Sequence, residues 1–239
     1  MPIEFSLGII AFITSVIAGV VGFGGGMLLI AILPIFLSPS IIIPIHGATQ
    51  LASNASRMAF SLSDVKWALL PKFLAGSLIG TLLFGLLLVN MPVDTVPLAI
   101  GIYILLNLWS PRFGRFISHY ESYYLIGLLQ TGLSLVVGAT GPLSLSVLTK
   151  QLNCKNEIIA TSSMFMSISH LVKIPVFGLI GFSLFDHSYL LAMMILGSVA
   201  GSFVGTQLRR AADNQRLITI IKLLLTAMAI KMIVAVVLF

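Results

Sequence analysis

VVGFGGGMLLIAILP (residues 20–34) sets three consecutive glycines, Gly24, Gly25 and Gly26, inside an apolar run that otherwise reads as a membrane helix. Each interior glycine costs a helix about 1 kcal/mol relative to alanine. Three adjacent glycines point in three directions around a helix, so close packing accounts for them less well than a break does. A chain broken over residues 22–26 begins a new short helix with unpaired N–H groups, and the glycines let the backbone turn and come close to a ligand. At membrane depth such an N-terminus suits an anion, through its free donors and the positive end of its dipole.

Outward from this stretch the whole chain is apolar. Of its 239 residues 58% are hydrophobic and 8% charged, with a mean hydropathy of +1.12. No water-soluble core hides that much apolar surface, so the chain dissolves in lipid. Stretches long enough to cross a hydrocarbon layer of about 30 Å recur throughout, predicting a single polytopic membrane domain over residues 1–239. The start lacks a basic n-region and runs straight into the glycine stretch, so the first segment is expected to belong to the mature structure. The net charge of +6 sits in short loops, where membrane topology explains it, and no nucleic-acid partner is expected. The single Cys154 excludes an internal disulfide. No HExxH or CxxC spacing suggests a metal, and no cofactor is expected.

Breaks at Pro39, Asp64, residues 90–92, 110–115, 150–155, 185–187 and 209–216 divide the chain into eight apolar segments, helical by length. Segments one (residues 4–38) and five (121–150) exceed a simple span of about 20 residues and carry glycines near their middles, so each reads as a broken or re-entrant hairpin. The two halves repeat. Val21-Gly22-Phe23-Gly24-Gly25-Gly26 aligns with Val137-Gly138-Ala139-Thr140-Gly141-Pro142 at an offset of 116 residues (138 minus 22). The same offset carries His46 onto Ser162, Ser53 onto Ser169, Asn54 onto His170 and Arg57 onto Lys173. Further on, Gly76, Ser77, Gly80 and Thr81 align with Gly201, Ser202, Gly205 and Thr206 at an offset of 125, implying nine extra residues between Lys173 and Gly201. These glycine pairs have the spacing of close helix packing.

Loop charges set the hand of the duplication. Lys66 and Lys72 mark the turn after segment two as cytoplasmic, whereas in the second half Lys150 and Lys155 follow segment five and Arg209, Arg210 and Arg216 follow segment seven. Equivalent loops then lie on opposite sides, which requires each repeat to cross an odd number of times. The expected fold is therefore all-α with two inverted-topology repeats, about residues 4–110 and 121–239, each a broken hairpin plus three transmembrane helices. Both termini come out non-cytoplasmic, Pro39 and Asp186 outward, and Lys66, Arg112, Lys155 and Arg210 inward.

In segment two, HGATQLASNASR places His46, Gln50, Ser53, Asn54 and Arg57 on one helical stripe that lipid would not tolerate. Its counterpart in segment six offers Ser162, Ser169, His170 and Lys173. Inversion puts Arg57 and Lys173 on either side of the midplane, one cation per gate. The expected substrate site is Gly24, Gly25, Gly26, Thr49, Gln50, Ser53, Asn54 and Arg57 with Thr140, Gly141, Ser169, His170 and Lys173. A histidine titrating near neutrality keeps proton coupling open. No carboxylate falls clearly within a span, which argues against a cation pump.

GVVGFGGG, HGATQLASNASR, GATGP and TSSMFMSISHLVK together resemble the TauE/SafE family of sulfite and organosulfonate exporters over nearly the whole chain. The resemblance implies a bacterial-type inner-membrane anion transporter, and it carries over the glycine break at residues 24–26 and the polar helix around Thr49 and Asn54. The second copy departs from the first where the three glycines become Thr140-Gly141-Pro142. Partners on this reading are a small anion and membrane lipid, with a homodimer left open. Two other classes compete: a passive anion channel, and an intramembrane hydrolase using Ser144 or Ser146 with His170, which lacks the Gly-x-Ser-x-Gly elbow.

Overall fold

The structure, a computed structural model, describes residues 2–119, 121–209 and 214–238. Eleven helices follow one another, and no strand occurs among the described residues: α1 (Ile3–Val21), α2 (Gly25–Ile32), α3 (Pro39–Ala59), α4 (Leu70–Val89), α5 (Val96–Trp109), α6 (Pro111–His119), α7 (Tyr123–Val137), α8 (Gly141–Gln151), α9 (Lys155–Leu179), α10 (Ser188–Leu208) and α11 (Asn214–Leu238). Five helical stretches are long and apolar enough to cross a membrane. At 21 residues α3 is as long as these, but its polar stripe lowers its hydropathy below theirs. The expected all-helical, membrane-spanning class is what the chain forms.

Both long segments are broken as their glycines suggested, α1 from α2 and α7 from α8. Sequence marks residues 110–115 as a turn, whereas they open the short helix α6. Pro111 starts it at a position where its missing N–H costs nothing. Phe113 then turns inward to meet the Tyr103 ring edge-on at 6.3 Å, while Arg112 and Phe116 stay exposed.

The halves interleave. The most extensive packing is α1 along α10 and α4 along α7, followed by α3 on α9, with α5 on α11. Exchanging α1 for α7 and α4 for α10 turns the first pair into the second, and the other two pairs map onto themselves. Glycines make the close approaches: a Cβ at Gly76 or Gly80 would fall on the carbonyl oxygens of Tyr124 or Leu128, and one at Gly197 or Gly201 on those of Gly8 or Phe12. Tyr124 and Leu128 lie 116 residues beyond Gly8 and Phe12, so Gly76 answers to Gly197 and Gly80 to Gly201. The packed offset is 121 (197 minus 76), one helical turn short of the 125 read from sequence. Small residues recurring every four positions allowed the slip, and the insertion between the two stretches shrinks from nine residues to five (121 minus 116).

Loops gather at two ends. At one end Lys66 Nζ pairs with Glu157 at 2.5 Å and Lys150 with Glu121 at 3.4 Å. At the same end Arg209 Nη1 donates to Asn156 Oδ1 at 3.4 Å. The loops after α3, α8 and α10 therefore lie together. At the other end Pro39, Met91 and Phe182 line one cavity, uniting the loops before α3, after α4 and after α9. Arg210 and Asp213 lie outside the described residues.

Candidate functional site

The three glycines of the opening stretch have three separate reasons. Val21 ends α1, Gly22 turns the chain at φ +95° with its N–H on Ala18 O (2.9 Å), and Gly24 precedes α2 at φ +89°. Both lie in the left-handed region that an L side chain enters only at a cost of about 1–2 kcal/mol. Gly25 is pressed against α1, where a Cβ would fall on Thr14 O and the Ala18 methyl. Gly26 faces Gln50, whose Oε1 would lie 3.0 Å from an added Cβ. The sequence reading brings the backbone at these glycines close to a ligand, whereas a methyl at Gly25 meets the backbone of a neighbouring helix. Gly25→Ala should therefore lower the thermal stability of the ligand-free protein. A variant melting with the parent but binding anion more weakly would restore the ligand explanation.

The second break uses different chemistry. Gly138 turns at φ +80°. Thr140 then donates its hydroxyl to Gln130 O (2.9 Å), and Gln130 Oε1 accepts the Ser144 N–H at 3.1 Å. Protein thus fills part of the α8 N-terminus. The eight-residue α2 has no side-chain cap, so its first-turn donors are the ones left for a ligand.

Between the breaks lies a cavity of about 30 Å³, walled by Gly24, Gly26, Gln50, Asn54 and Arg57 from the first half and by Gly141, Ser162 and Met166 from the second. A cavity of that size has room for a water or two, so the site would have to widen to admit an oxyanion. Arg57 is only 3% exposed. Its Nη1 donates to Asn54 Oδ1 (3.2 Å) and its Nη2 to Ser53 Oγ (3.1 Å), while Nε has no partner. Asn54 is itself fixed by donating to Gln50 O (2.8 Å). No carboxylate pairs with Arg57 among the described residues. A buried cation without a counter-ion costs several kcal/mol, so the arrangement calls for an anion.

Lys173, 1% exposed, belongs to a separate cluster. Its Nζ donates to Gly138 O at 2.5 Å and its stem covers Gly47. Beside it, His46 Nε2 donates to Gly26 O (2.9 Å) and its ring meets that of His170 edge-on at 5.5 Å. Neither ring nitrogen of His170 has a partner.

The expected site residues accordingly divide. Gly24, Gly26, Gln50, Asn54, Arg57 and Gly141 line the cavity; Gly25, Thr49, Ser53, Thr140, Ser169, His170 and Lys173 do not. Thr49 back-bonds to Ile45 O (2.9 Å). Ser53 bonds Ser15 at 2.9 Å and Ser202 at 3.0 Å, and its counterpart Ser169 bonds Thr131 at 3.1 Å. Ser15 and Thr131 are themselves 116 residues apart, the same offset that relates the two breaks. Gln130 was missed, because nothing in a sequence shows a glutamine reaching back to cap the next helix. Ser144 bonds Ser162 Oγ (3.3 Å) and Ser146 back-bonds to Leu143 O (2.7 Å), so neither meets His170.

Paired broken helices around a buried cation without a carboxylate partner, in a bundle of membrane-spanning helices, define a polytopic membrane protein with a polar cavity in its interior. The chain matches the family of the sulfite exporter TauE/SafE over residues 7–232 and belongs to that family. Membership implies membrane transport of sulfite or related anions. No curated protein and no solved structure matches the chain.

Proposed function

We propose that the protein is a secondary transporter that carries a small oxyanion, sulfite or an organosulfonate, across a bacterial-type inner membrane by alternating access. The observation that carries this reading is Arg57, buried without a carboxylate partner on the wall of the small cavity at the uncapped start of α2. The anion supplies the missing counter-charge, with Gln50 and Asn54 holding the guanidinium in place. Lys173 provides the second cation in the other half, and a coupled proton would reside on His170. The paired helix contacts and the two loop clusters support inverted repeats, with the end bearing Lys66 and Lys155 cytoplasmic and both termini outside.

Counterflow in proteoliposomes tests the mechanism. A carrier preloaded with unlabelled sulfite should transiently accumulate labelled sulfite above its equilibrium level, whereas an open pore only equilibrates it. Sidedness is tested in whole cells. Exposed Cys154 should resist an impermeant maleimide applied from outside, and a cysteine at Asp186→Cys should react in a Cys154→Ser background. The opposite pattern would invert the topology.

A further inference from the structure

Two cavities open at opposite ends of the bundle, and the repeat makes them counterparts. One, of about 280 Å³, is lined by Ser61, Asp64, Asn156 and Arg209. The other, of about 310 Å³, is lined by Ser40, Leu88 and Phe177 and has no charged residue on its wall. Offsets of 116 and 121 carry Ser40 onto Asn156, Ser61 onto Phe177 and Leu88 onto Arg209. The same architectural position is thus a guanidinium at one end and a leucine at the other.

Arg209 is more than loop charge. It is 6% exposed, donating Nε to Gly19 O (2.9 Å) and Nη1 to Asn156 Oδ1 (3.4 Å), while its buried Nη2 finds no partner. Asp64 lies near enough to attract it, yet no ion pair joins them. Arg57 stands in the last turn of α3, which leads directly into Ser61 and Asp64 of the Arg209 vestibule, so it is the next buried guanidinium inward. A planar guanidinium with an unspent donor matches the paired oxygens of a sulfite or sulfonate group.

We propose that Arg209 is a recruitment site for the transported oxyanion at the end of the molecule bearing Lys66 and Lys155, holding it before it passes to Arg57, and that the opposite vestibule has no equivalent site. Asp64 opposes the bound anion, which keeps the site weak enough to release it inward. The assignment of this anion as transported cargo rests on the preceding reading; its binding at Arg209 does not.

Labelled sulfite binding to the full chain in detergent tests the site. In an Arg57→Gln background, which removes the central cation, sulfite should still bind. Adding Arg209→Gln should weaken that binding about tenfold or more, and Arg209→Lys should weaken it less. Asp64→Asn should tighten it, and because that change leaves every hydrogen bond of Arg209 in place it decides the matter should Arg209→Gln fail to fold. Binding that vanishes with Arg57→Gln alone, or that ignores both Arg209 and Asp64, overturns the proposal. In proteoliposomes oriented by Cys154 labelling, Arg209→Gln should raise the sulfite KM on the Cys154 face and leave the opposite face unchanged; an equal rise on both faces overturns it too. Arg209-dependent binding by a parent that does not transport would sink the transport reading and leave this site standing.

Discussion

Gly76→Leu should remove most of the folded protein from the membrane. A Cβ at this position falls on the backbone oxygen of Tyr124, and no rotamer change relieves a clash with a carbonyl. Overpacking costs typically about 1–3 kcal/mol even where side chains can shift. Here two helices must separate, so the loss should reach or exceed the top of that range. Its counterpart Gly201→Leu, directed at Phe12 O, should do the same to the α1–α10 pair. Gly85→Leu is the control, since a Cβ there has no neighbour within 4 Å. Recovery of monodisperse protein in detergent gives the comparison, and a Gly76→Leu protein as abundant and as heat-stable as Gly85→Leu would show that these glycines do not set the helix spacing.

Those contacts also bear on how the molecule can move. Because α1 packs on α10 and α4 on α7, each tightly joined pair takes one helix from either half. Rocking one sequence repeat against the other would tear both pairs. The units that can shift as bodies are the mixed pairs, with α3, α9 and the two short helices between them.

Much of this architecture was legible because it depends on local chemistry. Glycines in a row cannot continue a membrane helix without cost, and the positive φ values of Gly22 and Gly24 are where that cost is avoided. The stripe from Gln50 to Arg57 had to face protein. What needed the third dimension was the partner of each group. Gly25 resembles Gly26 in sequence, yet one meets α1 and the other the cavity. Arg57 and Lys173 occupy matching positions, but Asn54 holds the first at the cavity while Gly138 O draws the second into a histidine cluster. Arg209 looked like one of several loop cations because its burial is produced by α1 and by Asn156, 190 and 53 residues away in the chain.

The sharpest test of the central site sets function against stability. Arg57→Met should reduce the response to sulfite to the weaker binding that Arg209 supplies, while leaving the ligand-free protein folded and close to the parent in stability. Replacing a buried, unpaired charge by an apolar chain of similar length removes a desolvation penalty, which offsets the loss of the hydrogen bonds to Asn54 Oδ1 and Ser53 Oγ. The bound anion meanwhile loses its charged partner. Removing one member of a buried, hydrogen-bonded charge pair costs about 2–5 kcal/mol, or roughly 30- to 5,000-fold in Kd. Parent protein at 100 times its Kd should gain about 2.7 kcal/mol from sulfite, visible as a rise in melting temperature that Arg57→Met shows only at much higher sulfite. Arg57→Lys should fall between them, keeping the charge while losing the planar fork that grips two oxygens. If Arg57→Met melts early and responds to sulfite as the parent does, Arg57 is a packing residue held by Ser53 and Asn54, and the anion is bound elsewhere. The predicted pattern, a folded protein that keeps only the weak, Arg209-dependent response to sulfite, arises only if the missing partner of this guanidinium is the substrate itself.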